Sequence, residues 1–146
     1  MNSNRLAQIA YTLLRIAAGV IFLQAGGMIL FGWFGGMPGA AGASPNLMSQ
    51  VGIGAILEFF GGIAILLGLC TRPIAFILSG EMAVAYWQFH VFTKESAGAW
   101  PIQNHGEPAV LLCFIFLYMA AVGGGPWSLD ALFRRKGNVT ADAAKR

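Results

Sequence analysis

The sequence predicts an all-α membrane protein, a four-transmembrane-helix bundle, and three observations carry that expectation. The chain of 146 residues is 57% hydrophobic and only 10% charged, where a soluble domain carries about 25% charged residues. A soluble core of this length could not hide so much apolar surface, so lipid must cover the rest. The apolar residues fall into four runs, each near the roughly 20 residues that cross a hydrocarbon core of about 30 Å. The basic residues sort to one side of those runs, as membrane topology requires.

The first run, Ile9–Phe34, contains one charge, Arg15. It exceeds the apolar region of a signal peptide, about 7–15 residues, and reads as a retained span although Ala40, Ala41, Gly42 and Ala43 imitate a cleavage site. The uncharged connection Gly35–Gln50, rich in Gly and Ala with Pro38 and Pro45, reads as a surface loop. The second run, Val51–Thr71, contains only Glu58. Cys70-Thr71-Arg72-Pro73 then turns the chain, because Pro73 suits a first helical turn and disfavours helix just before it. The third run, Pro73–Thr93, carries Glu81 and, near its far end, His90. A longer and more polar connection follows, Lys94–Gly106, with Trp100-Pro101 inside it. The fourth run, Pro108–Leu129, is uncharged and stands directly behind Glu107; Gly123-Gly124-Gly125-Pro126 ends its helix. Residues 1–133 are expected to form one membrane domain with spans at about 9–34, 51–71, 73–93 and 108–126, followed by a basic cytoplasmic tail, 134–146.

Arg5, Arg15, Arg72 and the tail residues Arg134, Arg135, Lys136, Lys145 and Arg146 fall on one side, against Lys94 alone on the other. The positive-inside rule then puts both termini in the cytoplasm, with Trp33, Trp87 and Trp100 near the outer interface and Trp127 near the inner one. The net charge of +3 comes from the tail, which is placed to meet anionic headgroups rather than nucleic acid. Cys70 and Cys113 form no CxxC pattern and lie toward opposite faces, so they read as membrane-buried thiols.

Ionisable groups at membrane depth are costly and usually face a protein interior. Arg15, Gly19, Phe22 and Gly26 share one helical face, as do Gly54, Glu58, Gly61, Ile65 and Gly68, and glycines on such a face let a neighbouring helix approach closely. In the third run Glu81, Ala85 and Gln88 share a stripe. Glu81 is expected near the midplane, about 12 Å from the cytoplasmic end of its span at 1.5 Å per residue. Glu58, Glu107, His90, Asn104 and His105 fall in the outer half and Arg15 toward the inner side. The layout reads as a polar cleft that opens outward, with Glu81 near its floor and Arg15 and Glu107 at its edges. Plainer roles stay open at this level. Arg15 could snorkel to headgroups, and Glu58 and Glu81 could be hydrogen-bonded packing carboxyls. His90 and His105 could be loop histidines, with no HxxxH or ExxH spacing to make a metal site. Glu107 could serve only the positive end of its helix.

Several segments carry a further likeness: Arg15 with Phe31-Gly32-Trp33-Phe34-Gly35-Gly36, Glu58-Phe59-Phe60-Gly61-Gly62, and Leu66-Leu67-Gly68-Leu69-Cys70-Thr71-Arg72-Pro73. Glu81-Met82-Ala83-Val84-Ala85-Tyr86 with His90, Asn104-His105-Gly106-Glu107 and Gly125-Pro126-Trp127-Ser128-Leu129-Asp130 continue it. In this order and spacing, from about Leu14 to Phe133, the chain resembles the DoxX family of small bacterial integral membrane proteins. It departs from the family at Ala25 and Ile29, where many members carry His and Lys, and at His105, which replaces a usual Gly. The resemblance implies a bacterial inner-membrane protein and an association with sulfur or thiosulfate oxidation, quinones or thiol redox defence.

On that implication the expected function is a redox-linked membrane oxidoreductase component. Glu58, Glu81 and Glu107 would exchange protons, while Arg15, His90, Asn104, His105, Trp33, Tyr86 and Trp87 bind substrate. The chain encodes no flavin, haem or iron–sulfur fingerprint, so the expected cofactor is a bound quinone and the expected electron source a soluble redox partner protein. Trp33, Phe34, Tyr86 and Trp87 would hold its flat ring, or form an ordinary interfacial belt. Two other classes stay open: a small proton-coupled transporter, for which four helices imply a homo-oligomer, and a non-catalytic membrane assembly partner acting through the tail.

Overall fold

Local signals in the chain place most helix ends where the architecture shows them. A computed structural model describes residues 3–36, 46–93 and 98–143, with no strand among them. Part of the expected Gly35–Gln50 loop (37–45), Lys94, and the tail residues Lys145 and Arg146 lie outside the described residues. The α-helices are α1 (Ser3–Phe31), α2 (Gln50–Leu67), α3 (Thr71–Ala85), α4 (Pro101–Asn104), α5 (Glu107–Val122) and α6 (Leu129–Ala143).

Helix α1 begins ahead of the expected Ile9 because neither Gly nor Pro interrupts the residues before it. It ends where Gly32 turns left-handed, φ 70°. Helix α2 is capped at both ends. The Ser49 hydroxyl accepts the Gly52 N–H at 3.1 Å, and left-handed Gly68 closes the other end through Gly68 N–H to Ile65 O and Leu69 N–H to Ala64 O. Helix α3 starts at Thr71, slightly before the expected Pro73, and gives way to a π-helical stretch over Tyr86–Val91. Phe92 N–H bonds Trp87 O, five residues back, at 2.9 Å. The tail beyond Leu129 is a helix as far as Ala143.

Helices α1, α2, α3 and α5 contribute one core. Phe22 packs edge-on against Phe116 with ring centroids 4.5 Å apart, and Ala18, Ile65, Ala75, Leu78, Met82 and Met119 surround them. Helix α1 packs most extensively on α2, and α3 on α5, while α2 and α3 touch less. The expected glycine face of α1 does bring helices together: a Cβ on Gly19 would lie 2.7 Å from the Leu66 backbone nitrogen, and one on Gly26 would meet the Phe59 backbone. On α2 the partner of that face is Gly62, against Leu23, rather than the Gly54–Gly61 face. Gly61 instead receives Leu78 of α3. Ser79 of α3 donates to Cys113 O of α5 at 2.9 Å, a tie of the kind that holds helices together in lipid.

Large apolar side chains remain exposed around the bundle, among them Leu13, Ile21, Phe60, Phe76, Leu111 and Phe114. A band this extensive needs an apolar environment. Asn4–Phe31 and Gln50–Leu67 are each long and apolar enough to cross a membrane, and Glu107–Val122 is a shorter apolar helix.

Candidate functional site

Helices α2 and α3 diverge enough to leave a cavity of about 480 Å³, completed by Ile29 of α1. Glu58 and Glu81 both line it, with Gly54, Ala55, Ile77, Met82, Val84 and Phe89. Each carboxylate comes from the middle of its helix. Glu81 reaches across to α2, where a Cβ on Gly54 would stand 3.3 Å from its Oε1. Gly54 lies one turn from Glu58, so the two carboxyls come from neighbouring positions on the facing helices. The Oε2 atoms of Glu58 and Glu81 are both buried with no hydrogen-bond partner among the described residues. Ile53, Ile77, Val84 and Phe89 line the same cavity and are each about half exposed, so it opens through the side of the bundle. Beside Gln50, which also lines the cavity, the side chains of Gln50 and Gln88 hydrogen-bond each other in both directions.

Arg15 and Glu107, expected at the edges of this cleft, do not line it. Arg15 sits at the far end of α2, 2% exposed. Its Nη1 donates to Ile65 O and Leu66 O at 2.6 Å and its Nη2 to Trp127 O at 2.8 Å. A cation on the last carbonyls of a helix complements the helix dipole, so Arg15 fastens the end of α2 rather than snorkelling. Asp130 does the converse for α3. Its Oδ1 accepts Cys70 N–H at 2.7 Å and its Oδ2 accepts Thr71 N–H at 2.9 Å, which caps a helix start whose own cap residue, Cys70, has φ 46° and offers no side-chain bond. Burial alone would raise the Asp130 pKa, but the hydrogen bonds from Thr71 and Cys70 outweigh it and hold the carboxyl below its ordinary range.

Tyr86, His90 and Asn104 come together at the opposite end, outside the cavity. The Tyr86 and His90 rings stack with centroids 6.3 Å apart, and His90 Nδ1 lies 3.0 Å from Asn104 O. Tyr86 donates to Ala99 O at 2.5 Å, and Asn104 gives its amide to Gly98 O and takes Gly106 N–H, both at 2.9 Å. A Cβ on Gly106 would strike the Tyr86 ring at 2.6 Å. These bonds are all to backbone, and they strap the third connection onto α3. His105 closes α4 with a left-handed φ of 57° and is exposed. Glu107 opens α5, where a carboxylate suits the helix dipole. The expected aromatic cluster divides in two: Trp33 packs with Phe31 and Phe59, and Trp87 with Tyr86 and Phe92. Among the described residues no group of His, Cys, Asp and Glu is arranged to hold a metal ion, and both cysteines are free thiols, Cys70 being exposed.

Sequence reasoning passed over Asp130, although its place in the Trp127-Ser128-Leu129-Asp130 segment was noted. It also passed over the π-helical turn, which carries Tyr86, Trp87 and His90; such turns gather at functional sites.

Comparison with known proteins bears on the whole chain. A sequence model of the DoxX family matches residues 10–91. A protein of Haemophilus influenzae described as uncharacterized is 39% identical over 123 residues, covering 84% of this chain and 90% of that protein. Inner membrane protein YqjF of Escherichia coli is 28% identical over 139 residues, covering 90% of this chain and 98% of that protein. No solved structure matches the chain.

Proposed function

The chain belongs to the DoxX family of membrane proteins, and from that premise we propose that its α2–α3 cavity binds a quinone and exchanges protons with it through Glu58 and Glu81. One observation supports this reading above the others. Glu58 and Glu81 line one apolar cavity that opens through the side of the bundle, and each keeps a buried carboxyl oxygen without a partner among the described residues. An unpartnered polar atom in such surroundings costs about 1–3 kcal/mol, which a ligand group able to hydrogen-bond would recover. The cavity volume of about 480 Å³ lies in the usual range for small-molecule sites, about 300–1,000 Å³. A lateral, apolar entrance suits a lipid-dissolved ligand better than a hydrophilic solute.

A quinone, when bound, takes up two electrons and two protons to become a quinol. In this reading Glu58 and Glu81 each hold one proton on the carboxyl and exchange it with an acceptor oxygen. Ile77, Val84 and Phe89 supply the apolar wall, and Gly54 leaves the space beside Glu81 open. The chain encodes no fingerprint for a cofactor that carries electrons, so a soluble redox partner protein would supply them. Glu107, His90 and Asn104 take no part in this exchange.

The membrane arrangement belongs to the same proposal. Helices α1 and α2, α3 with its π-helical extension, and α5 form four spans of a bacterial inner membrane, with both termini cytoplasmic. Reporter fusions after Asn46 and Ala97 should report the outside, and those after Arg72 and Arg146 the inside; one reversed location overturns the topology. For the cavity, purified protein with retained lipid should carry quinone on mass analysis and bind added quinone. Gly54→Leu should exclude it while the protein stays folded. Undiminished quinone binding by Gly54→Leu, or none by the parent protein, would overturn the site.

A further inference from the structure

A second pocket, of about 560 Å³, lies at the other end of the molecule, lined by Thr12, Arg15 and Ile16 of α1, the end of α2, and Leu129, Leu132 and Arg135 of α6. Two arginines line it, Arg15 from α1 and Arg135 from α6. A guanidinium has five N–H donors. Three of those on Arg15 go to the carbonyls of Ile65, Leu66 and Trp127, and its Nε is buried with no partner. All three acceptors are neutral. Asp130 is the acid whose charge reaches Arg15, and both of its oxygens are turned to the Cys70 and Thr71 N–H groups. A buried cation and a second, exposed cation therefore line the same pocket, with no carboxylate among its lining residues.

We propose that this pocket binds the phosphate of an anionic phospholipid, between Arg15 and Arg135. Fork-shaped guanidinium groups match phosphate oxygens better than any other side chain. The surroundings favour a lipid headgroup over free phosphate. Leu67 and Leu132 line the pocket beside the arginines, offering an acyl chain an apolar wall. On α6, Leu132 and Phe133 are 46% and 56% exposed next to Arg134, Arg135 and Lys136, the composition of a helix lying in a membrane interface. The site is separate from the α2–α3 cavity and stands or falls without the quinone reading.

The test is native mass spectrometry of the full chain supplied with phosphatidylglycerol or phosphatidylcholine. Phosphatidylglycerol should be retained about fivefold more than phosphatidylcholine, and Arg135→Ala should erase that preference, one basic group near a headgroup being worth about this factor. Arg134→Ala, on the same exposed turn, should leave it intact. Phosphatidylglycerol with brominated acyl chains should quench Trp127 fluorescence, read as the difference from Trp127→Phe. This second readout needs no arginine variant. Equal retention of the two lipids, equal effects of Arg134→Ala and Arg135→Ala, or no Trp127 quenching would overturn the site. Binding of inorganic phosphate as tightly as the lipid would overturn the lipid assignment in favour of a soluble anion.

Discussion

At one end of the bundle Arg15 and Asp130 direct their polar atoms onto the backbone around the α2–α3 turn. Further along the same two helices, Glu58 and Glu81 line an apolar cavity, and each keeps a buried oxygen without a partner among the described residues. The contrast separates two uses of buried charge. Arg15 and Asp130 satisfy groups that every helix end leaves open, four carbonyls at one terminus and four N–H groups at the other. Removing them exposes those groups and loosens the fold. Among the described residues the Oε2 atoms of Glu58 and Glu81 meet no hydrogen-bond partner, so the fold bears their desolvation without return, and such a cost persists where a ligand or a proton is to be handled.

The strongest challenge to this contrast is Arg15→Met. It leaves the carbonyls of Ile65, Leu66 and Trp127 without their donor, and a loss on the order of 3 kcal/mol is expected from unpaired buried groups. Thermal unfolding in detergent should show it as a lower midpoint with reduced yield of folded protein. Wild-type stability would mean that Arg15 is not a fastening.

Asp130→Ala should cost about 1–2 kcal/mol, the usual worth of a helix cap. Its pH signature sharpens the assignment. The folded carboxyl titrates below its unfolded value of about 3.9. Its contribution is therefore complete above that value and is lost as pH falls through the lower folded one. Wild-type unfolding midpoints should drop across this acid window, while those of Asp130→Ala should drop less. Parallel curves would remove Asp130 from the account.

Glu58→Gln and Glu81→Gln should have the smallest effect on stability, within about 1 kcal/mol of wild type, because neither carboxyl holds another element in place. Quinone-dependent proton exchange in proteoliposomes should fall sharply for both. If Glu81→Gln instead melts well below wild type with its ligand binding unchanged, the carboxyl is a packing group and the contrast between the two regions disappears. A fourth comparison concerns the strap at the other end: Gly106→Ala should destabilise by about 1–3 kcal/mol through overpacking against Tyr86, with no change in quinone binding.

Much of this arrangement is legible one residue at a time. The four apolar runs and the face that carries Arg15, Gly19 and Gly26 follow from composition and periodicity, whereas Gly68, read as part of a packing face, closes α2 as a left-handed cap. Glu58 and Glu81 also line one cavity, in keeping with the cleft expected around them from the sequence. Asn104 and His90 are harder to read, because a polar residue beside a helix end looks alike in sequence whether it bonds a ligand or the loop behind it. Here the carbonyls of Gly98 and Ala99 engage Asn104 and Tyr86, and no local pattern announces that.

Sequence alone determined the membrane character, the helical class and the identity of the buried ionisable groups, since each depends on composition and on the 3.6-residue repeat within one segment. Tertiary structure decided what those groups do. Arg15 meets carbonyls 50 and 51 positions away and Asp130 meets N–H groups 60 and 59 positions away, while Glu58 and Glu81 meet only each other's cavity. Hydrogen bonding is a matter of a few ångströms in space, and the distance along the chain carries no record of it.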